Sequence, residues 1–151
     1  MSRRSVGAAA VLALVGLGGC GGSSNSGLTR SQLVAKADAI CAQANQKAKQ
    51  IPTPANLVQD ATAAAAYFNK VVPIAEKGTD QLAALKPDSA ASADWKAYIA
   101  LRQQGVTLLK TIQRKANAHD PSGIQDLQKS SAFQQQLAAA ANKLGAKTCG
   151  Q

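Results

Sequence analysis

Apolar residues recur at spacings of three and four along four stretches of the chain between residues 29 and 144. This spacing places them on one side of a helix, whereas a half-buried strand would alternate apolar and polar positions. The first two stretches contain Leu33, Ala37, Ile40, Ala44, Ala48 and Ile51, and then Leu57, Ala61, Ala64, Phe68, Val71, Val72, Ala75, Leu82 and Leu85. The last two contain Trp95, Ile99, Val106, Leu109 and Ile112, and then Ile124, Leu127, Leu137, Ala141 and Leu144. The pattern predicts an all-α domain.

The first predicted helix has a signal at each end. Thr29 and Gln32 have the spacing of a capping box, in which each side chain bonds the backbone of the other residue. We expect this helix to end by Ile51, because Pro52 and Pro54 disfavour its continuation.

The second predicted helix is capped by Thr53 or Asn56 and runs to Leu85. Pro73 falls inside it and cannot donate a backbone hydrogen bond, so we expect a bend there. Bends of this kind often let a long helix follow its neighbours, so Pro73 alone does not indicate a site.

The third predicted helix starts at Ser89 or Ser92, after a turn at 86–89, and ends at Ala118. In the fourth, Asp120 is the expected N-cap and Pro121 the first helical residue, with a glycine cap at position 145. Short connections favour antiparallel neighbours. We therefore predict an up-down-up-down antiparallel four-helix bundle.

Composition and charge restrict the possible partners. Residues 29–151 suffice for one helical domain and are too few for two. The 17 basic and 8 acidic residues give a charge of +9, and 15 against 8, or +7, remain without Arg3 and Arg4. Because the cations are spread along the predicted helices, a solvated surface is favoured over attraction to anionic lipid or wall polymer. A nucleic-acid partner is not expected, since no concentrated basic stripe is present.

Residues 1–19 have the features of an export signal. Two arginines precede an apolar run of about a dozen residues, which is shorter than the ~20 residues of a membrane-spanning helix. The run ends in Leu17-Gly18-Gly19-Cys20, which resembles the lipobox of bacterial lipoproteins, where the cysteine is lipidated and becomes the N-terminus. The resemblance implies a chain anchored in the cell membrane through acylated Cys20, on the extracytoplasmic side. An ordinary secretory signal with a free thiol is the alternative, and the arginine pair leaves Sec and twin-arginine export open.

A Gly- and Ser-rich tether follows at residues 20–28. A flexible chain of this length reaches only about 15 Å. The domain at residues 29–151 is therefore expected to lie close to the lipid headgroups.

Two cysteines, Cys41 and Cys149, remain if Cys20 carries lipid. An even pair in an exported domain indicates a disulfide, and two independent thiols are the alternative. In the predicted bundle the end of helix four lies near Thr29, about 18 Å below Cys41, while the five residues that follow span at most about 17 Å. The bond therefore requires either that Gly145 reverses the chain, so that the tail climbs along helix one, or that the two helices are staggered.

Several short motifs in the domain resemble small Ala-rich lipoproteins and secreted proteins of actinobacteria. They are Asp38-Ala39-Ile40-Cys41, the pair Leu82 and Leu85 before Lys86-Pro87, the helix around Trp95, and Cys149-Gly150. The resemblance spans most of the domain and is consistent with the bundle and the disulfide. That group has no assigned activity, so the resemblance implies no function.

The sequence offers little for catalysis. His119 is the only histidine and lies in a turn, where no second titratable group is placed to orient it. Glu76 and Asp80 are one helical turn apart and could bind a cation, but Lys77 beside them favours a solvated face. Neither a nucleophile elbow nor a phosphate-binding loop is present. We expect no enzyme activity, no cofactor and no metal site.

The most distinctive side chains are Trp95, Tyr98 and Arg102, at spacings of three, four and seven on the third helix. They could line a cleft that stacks a ligand or grips a partner. The alternative is that Trp95 is core, Tyr98 is at the boundary and Arg102 packs over both. Asp38 and Asn45 on helix one are expected to hydrogen-bond the last turn of the chain.

Two functions remain. The favoured one is a membrane-anchored, non-catalytic interaction or structural module at the cell envelope, with an unknown envelope protein as partner. The alternative is an envelope binding protein for a small apolar or amphipathic ligand, held between the helices near Pro73. A cavity lined by Phe68 and Trp95 would favour ligand binding, whereas an exposed apolar patch would favour the interaction module.

Overall fold

The structure, a computed structural model, describes residues 27–151 and is all-α apart from one isolated β-bridge between Leu28 and Pro87. Its helices are α1 (Arg30–Lys49), α2 (Ala61–Ala83), α3 (Ser89–Asn117) and α4 (Gly123–Leu144), followed by a 3-10 turn at Thr148–Gly150. An all-α fold with four helices is therefore confirmed. Outside the described residues lie 1–26, with the predicted signal and Cys20, and the side chains of Ile124, Gln125 and Lys129.

The start of α1 forms the predicted capping box. The Thr29 hydroxyl accepts from the backbone N–H of Gln32 at 3.4 Å, and the Gln32 side chain accepts from the N–H of Thr29 at 3.1 Å. The helix ends at Lys49, before the two prolines, as expected.

The predicted start of α2 at Thr53 or Asn56 is wrong, because the N-cap is Asp60. The Asp60 carboxylate accepts from the N–H of Ala63 at 3.0 Å. The carbonyl of Asn56 instead accepts from the N–H groups of Gln59 and Asp60, so these residues form a turn before the helix. The helix then continues through Pro73 to Ala83.

The predicted start of α4 is also wrong, because Ser122 is the N-cap and Gly123 the first helical residue. The cause is the way α3 ends. His119 adopts a left-handed backbone with φ 56°, and the N–H of Asp120 still bonds the carbonyl of Lys115 at 2.9 Å. Asp120 therefore belongs to the end of α3, and its carboxylate accepts from the N–H of Ser122 at 2.9 Å. That bond lowers the pKa of Asp120.

Gly145 reverses the chain after α4, which is one of the two arrangements that the predicted disulfide allowed. Its φ of 90° is left-handed, and the next N–H, of Ala146, bonds back to the carbonyl of Ala141 at 2.9 Å. This pattern is a Schellman motif, which glycine favours because it has no Cβ. The tail that follows packs against both α1 and α4.

The predicted disulfide between Cys41 and Cys149 is confirmed, with Cα atoms 5.2 Å apart and a sequence separation of 108. Hydrogen bonds from α1 support it. The Asp38 carboxylate accepts from the N–H of Thr148 at 2.9 Å and of Cys149 at 3.2 Å, and Asn45 donates to the Thr148 carbonyl at 3.4 Å. The expected role of the two polar side chains is thereby confirmed.

Ion pairs bring specific helix ends together. Asp94, near the start of α3, pairs with Arg30 at the start of α1 and Lys143 at the end of α4, each at 2.9 Å. At the other end, Lys115 of α3 pairs with Asp126 of α4 at 2.6 Å.

The buried side chains form two clusters along the helices. One lies around Leu33, Tyr98 and Leu137 and includes the disulfide, and the other lies around Phe68 and Ile112. A middle layer separates the two clusters on α2, α3 and α4, and it contains the candidate site.

Candidate ligand-binding site

The structure places Trp95 and Tyr98 inside the core instead of on a surface cleft. Trp95 is 4% exposed and Tyr98 is fully buried, with ring centroids 5.5 Å apart and planes tilted by 39°. Arg102 lies one turn further along α3 and is partly exposed. Trp95 and Arg102 border different spaces, so the three side chains do not form one ligand surface.

Arg102 borders a central cavity of about 220 Å³ in the middle layer of the helices. All four helices and the tail contribute to its wall, including Ala44, Thr79, Arg102, Gly105, Leu137 and Gln151. Gln134 of α4 and Gln151 of the tail are exposed wall residues, so they mark the side that faces solvent.

Small residues account for the cavity. Ala44 and Ala48 on α1, Ala75 on α2 and Gly105 on α3 occupy wall positions where larger apolar side chains would fill the space. Gly105 also permits close packing, because a Cβ added there would lie 2.8 Å from the Phe133 ring. The cavity therefore follows from side-chain size within continuous helices.

Two buried polar atoms on residues of the cavity wall have no hydrogen-bond partner among the described residues. They are the Thr79 hydroxyl and Nε of Arg102. Thr79 is 4% exposed and borders the cavity. Buried polar groups are normally hydrogen-bonded, and an unpaired one costs about 1–3 kcal/mol. Unpaired polar atoms beside a cavity are typical of a site that a ligand or water completes.

The pKa of Tyr98 depends on its burial and on two charged side chains, Arg102 on the cavity wall and Asp38 on α1. Burial raises the pKa of the Tyr98 hydroxyl above the ordinary value of 10.0. The charge of Arg102 and a side-chain hydrogen bond with it oppose that shift, and the Asp38 carboxylate adds to it. The Tyr98 hydroxyl is therefore neutral at physiological pH and can donate a hydrogen bond.

Phe68 and Trp95 border two further spaces, not a shared one. Phe68 lines a cavity of about 230 Å³ at the far end of the molecule, beside Leu57, His119 and Leu127. His119 lies 3.3 Å from the Thr62 hydroxyl there. Trp95 borders a groove of about 350 Å³ with Lys96 and neighbouring residues. Among the side chains that the structure describes, Val58 at 41% is the exposed large hydrophobic residue.

The acidic pair on α2 does not converge on a common point. Glu76 forms an ion pair with Lys110 of α3, while Asp80 is exposed. Within residues 27–151, no group of three or more His, Cys, Asp or Glu side chains could hold a metal ion. None of the helices in that range is long and apolar enough to span a bilayer.

Sequence reasoning identified Arg102 but missed Thr79 and Gly105, although both carry a signal. Thr79 falls in the apolar series of α2, three residues before Leu82 and four after Ala75. Gly105 continues the series of α3 three residues after Arg102. Small or polar residues at core positions of neighbouring helices, in the same layer, predict an internal space. No protein-family model, curated protein or solved structure matches the chain.

Proposed function

We propose that this chain is a lipid-anchored, non-catalytic binding protein on the outer face of the cell membrane, whose helical domain takes up a small amphipathic ligand. The observation that carries the proposal is the central cavity, where apolar walls surround the unpaired Thr79 hydroxyl and the Arg102 guanidinium. Natural ligand sites combine apolar walls with a few polar groups in the same way.

The position of the cavity supports ligand binding over a packing defect. A dry packing defect would have apolar walls, because unpaired polar atoms destabilise the fold without compensation. Here the helices stay continuous, and the Thr79 hydroxyl and Nε of Arg102 both belong to residues of the same wall. Val71 and Ile74, on either side of Pro73, also line the cavity, in agreement with the expected location of a ligand.

The proposal includes an up-down-up-down antiparallel order of the helices. Its support is the grouping of the helix ends: the starts of α1 and α3 and the end of α4 meet at Asp94, and Leu28 bonds the turn between α2 and α3. In that order the cavity opens between α1 and α4, where the tail packs.

The membrane anchor depends on Cys20. We expect Cys20→Ala to move the protein from the membrane fraction to the soluble fraction and to abolish incorporation of labelled palmitate. Cys41→Ala with Cys149→Ala is the matched control, because it removes the two other cysteines and should keep the label. Unchanged membrane retention of the Cys20 variant would reject the anchor.

Native mass spectrometry of the protein purified from its own membranes tests ligand binding directly. We expect the acyl mass on Cys20, the loss of two hydrogens from the disulfide and a small additional mass that is removed by denaturation. A filled cavity predicts that Leu137→Trp, which narrows the space, reduces this additional mass. A small molecule retained equally by both proteins would count against the cavity.

The interaction module is the second candidate function, and one observation favours it. Val58 is exposed at the rim of the Phe68 cavity and offers an apolar contact on the surface. A photo-crosslinking amino acid at position 58 should give one discrete protein adduct in intact cells if this face binds a partner, and the same group at exposed Gln135 is the control. Equal diffuse labelling from both positions would reject the interaction module.

A further inference from the structure

The charge of Arg102 is not neutralised within the described part of the molecule. None of the carboxylates in residues 27–151 forms an ion pair with its guanidinium, although every one of the chain's 8 acidic residues lies in that range. Asp38, whose charge helps to raise the pKa of Tyr98, accepts hydrogen bonds from two backbone N–H groups of the tail. The cation therefore borders the cavity with donors that no acidic group of the fold occupies.

Thr79 borders the same cavity as the Arg102 side chain. A Cβ built on Gly78, the residue before Thr79, would be 3.9 Å from Nη2 of Arg102, so the guanidinium approaches this turn of α2. A threonine inside a helix commonly bonds the carbonyl four residues earlier, as Thr107 and Thr111 do on α3. Thr79 does not make that bond, and its donor is free for a ligand.

Most of the rest of the wall is apolar and limits the size of a ligand. Among its other polar residues, Asn45 and Ser130 bond backbone carbonyls, and Gln134 and Gln151 lie on the exposed side. Ala44, Val106 and Leu137 offer no polar side-chain atoms. The volume of about 220 Å³ exceeds the ~150 Å³ of an engineered cavity that holds benzene. The space therefore fits a ring or a short alkyl chain together with one small polar group.

Taken with the proposed function, on which this step rests, we propose that the ligand is a monocarboxylate with a compact apolar body, an aromatic or short-chain aliphatic acid. The Arg102 guanidinium donates to the carboxylate in the planar, two-bond arrangement that suits it, and the Thr79 hydroxyl donates a further hydrogen bond. The apolar body fills the space between the alanines of α1 and the leucine of α4.

Isothermal titration calorimetry of the full chain with benzoate and hexanoate tests this assignment. Benzyl alcohol is the neutral probe of the same shape. We expect the carboxylates to bind roughly tenfold or more tightly than the alcohol, because charge-assisted hydrogen bonds are about twice as strong as neutral ones. Arg102→Met should remove that preference, and Thr79→Val should weaken carboxylate binding by about three- to tenfold. Arg114→Met, at an exposed arginine of the same helix, should bind like the unchanged protein.

Amide chemical shifts of the unmodified protein locate the ligand independently of the variants. Benzoate should shift the amides of Thr79, Val106 and Leu137 and leave those around His119 and Leu127 unchanged. This measurement also tests whether benzoate binds in the central cavity if Arg102→Met fails to fold.

The possible outcomes separate the two proposals. Binding of benzyl alcohol at the central amides, with no preference for benzoate, would overturn the carboxylate assignment and leave ligand binding intact. Absence of binding by all three probes would overturn both. Shifts confined to the His119 end would refute the assignment to the central cavity.

Discussion

Replacing Thr79 with valine should stabilise the protein, although core substitutions usually destabilise. Valine has nearly the shape of threonine, so the change creates no cavity and adds no strain. It removes a hydroxyl that is 4% exposed and has no partner among the described residues. Such a group costs about 1–3 kcal/mol. Taking the lower end of that range, we expect a gain of about 1 kcal/mol in the free energy of unfolding.

Urea unfolding followed by Trp95 fluorescence and far-UV circular dichroism measures the effect. The midpoint should rise without a change in slope, and Tm should rise by about 4 °C for a domain of this size. Thr107→Val is the matched control, because the Thr107 hydroxyl is exposed and bonds the Gln103 carbonyl at 3.0 Å, so its loss should give no gain. A loss of 1 kcal/mol or more in Thr79→Val would mean that the hydroxyl is hydrogen-bonded, and the reasoning would fail.

Three further predictions concern other parts of the fold. Changing both Cys41 and Cys149 to serine should lower the free energy of unfolding by about 2–4 kcal/mol, because the unfolded chain is released from a loop of 108 residues; urea unfolding of the oxidised parent and the variant measures this. His119→Gly should raise the free energy of unfolding by about 1 kcal/mol, since glycine adopts φ 56° without strain, whereas His119→Ala should give no gain in the same urea unfolding assay. The hydrogen bond from Lys143 lowers the pKa of Asp94 in the folded state, so this carboxylate stabilises the fold above its ordinary pKa of 3.8 and that contribution disappears as pH falls through the folded value. Asp94→Asn should therefore lose less stability than the parent between pH 6 and pH 3 in urea titrations, and parallel pH curves would contradict this.

The helices followed from the sequence because their signals are local. Apolar spacing fixed four segments, and the capping box at Thr29 and the glycine at 145 were recognised from neighbouring residues alone. Both errors in helix starts arose where several residues could cap. The start of α2 at Asp60 depends on a turn closed by the Asn56 carbonyl. The start of α4 after Ser122 depends on the left-handed backbone of His119, which a histidine in the sequence does not indicate.

The central cavity was harder to predict because it depends on four helices at once. Each small or polar residue in that layer is unremarkable on its own helix, and the pattern becomes visible only when the register between helices is known. Arg102 was recognised by its spacing from Trp95, yet it shares the cavity wall with residues of the three other helices and the tail. Register is a tertiary property that local periodicity does not contain.

The link from the tail to α1 has a consequence for how the chain is completed during synthesis. Cys41 is made 108 residues before its partner, which at 5–20 residues per second is an interval of roughly 5–20 s. Throughout that time the tail that packs against α1 is missing, and Asp38 lacks the backbone N–H groups from which it later accepts hydrogen bonds. Among the described helices, the first to be translated is therefore among the last to acquire its full set of native contacts, and Cys41 cannot form its native disulfide until residue 149 arrives.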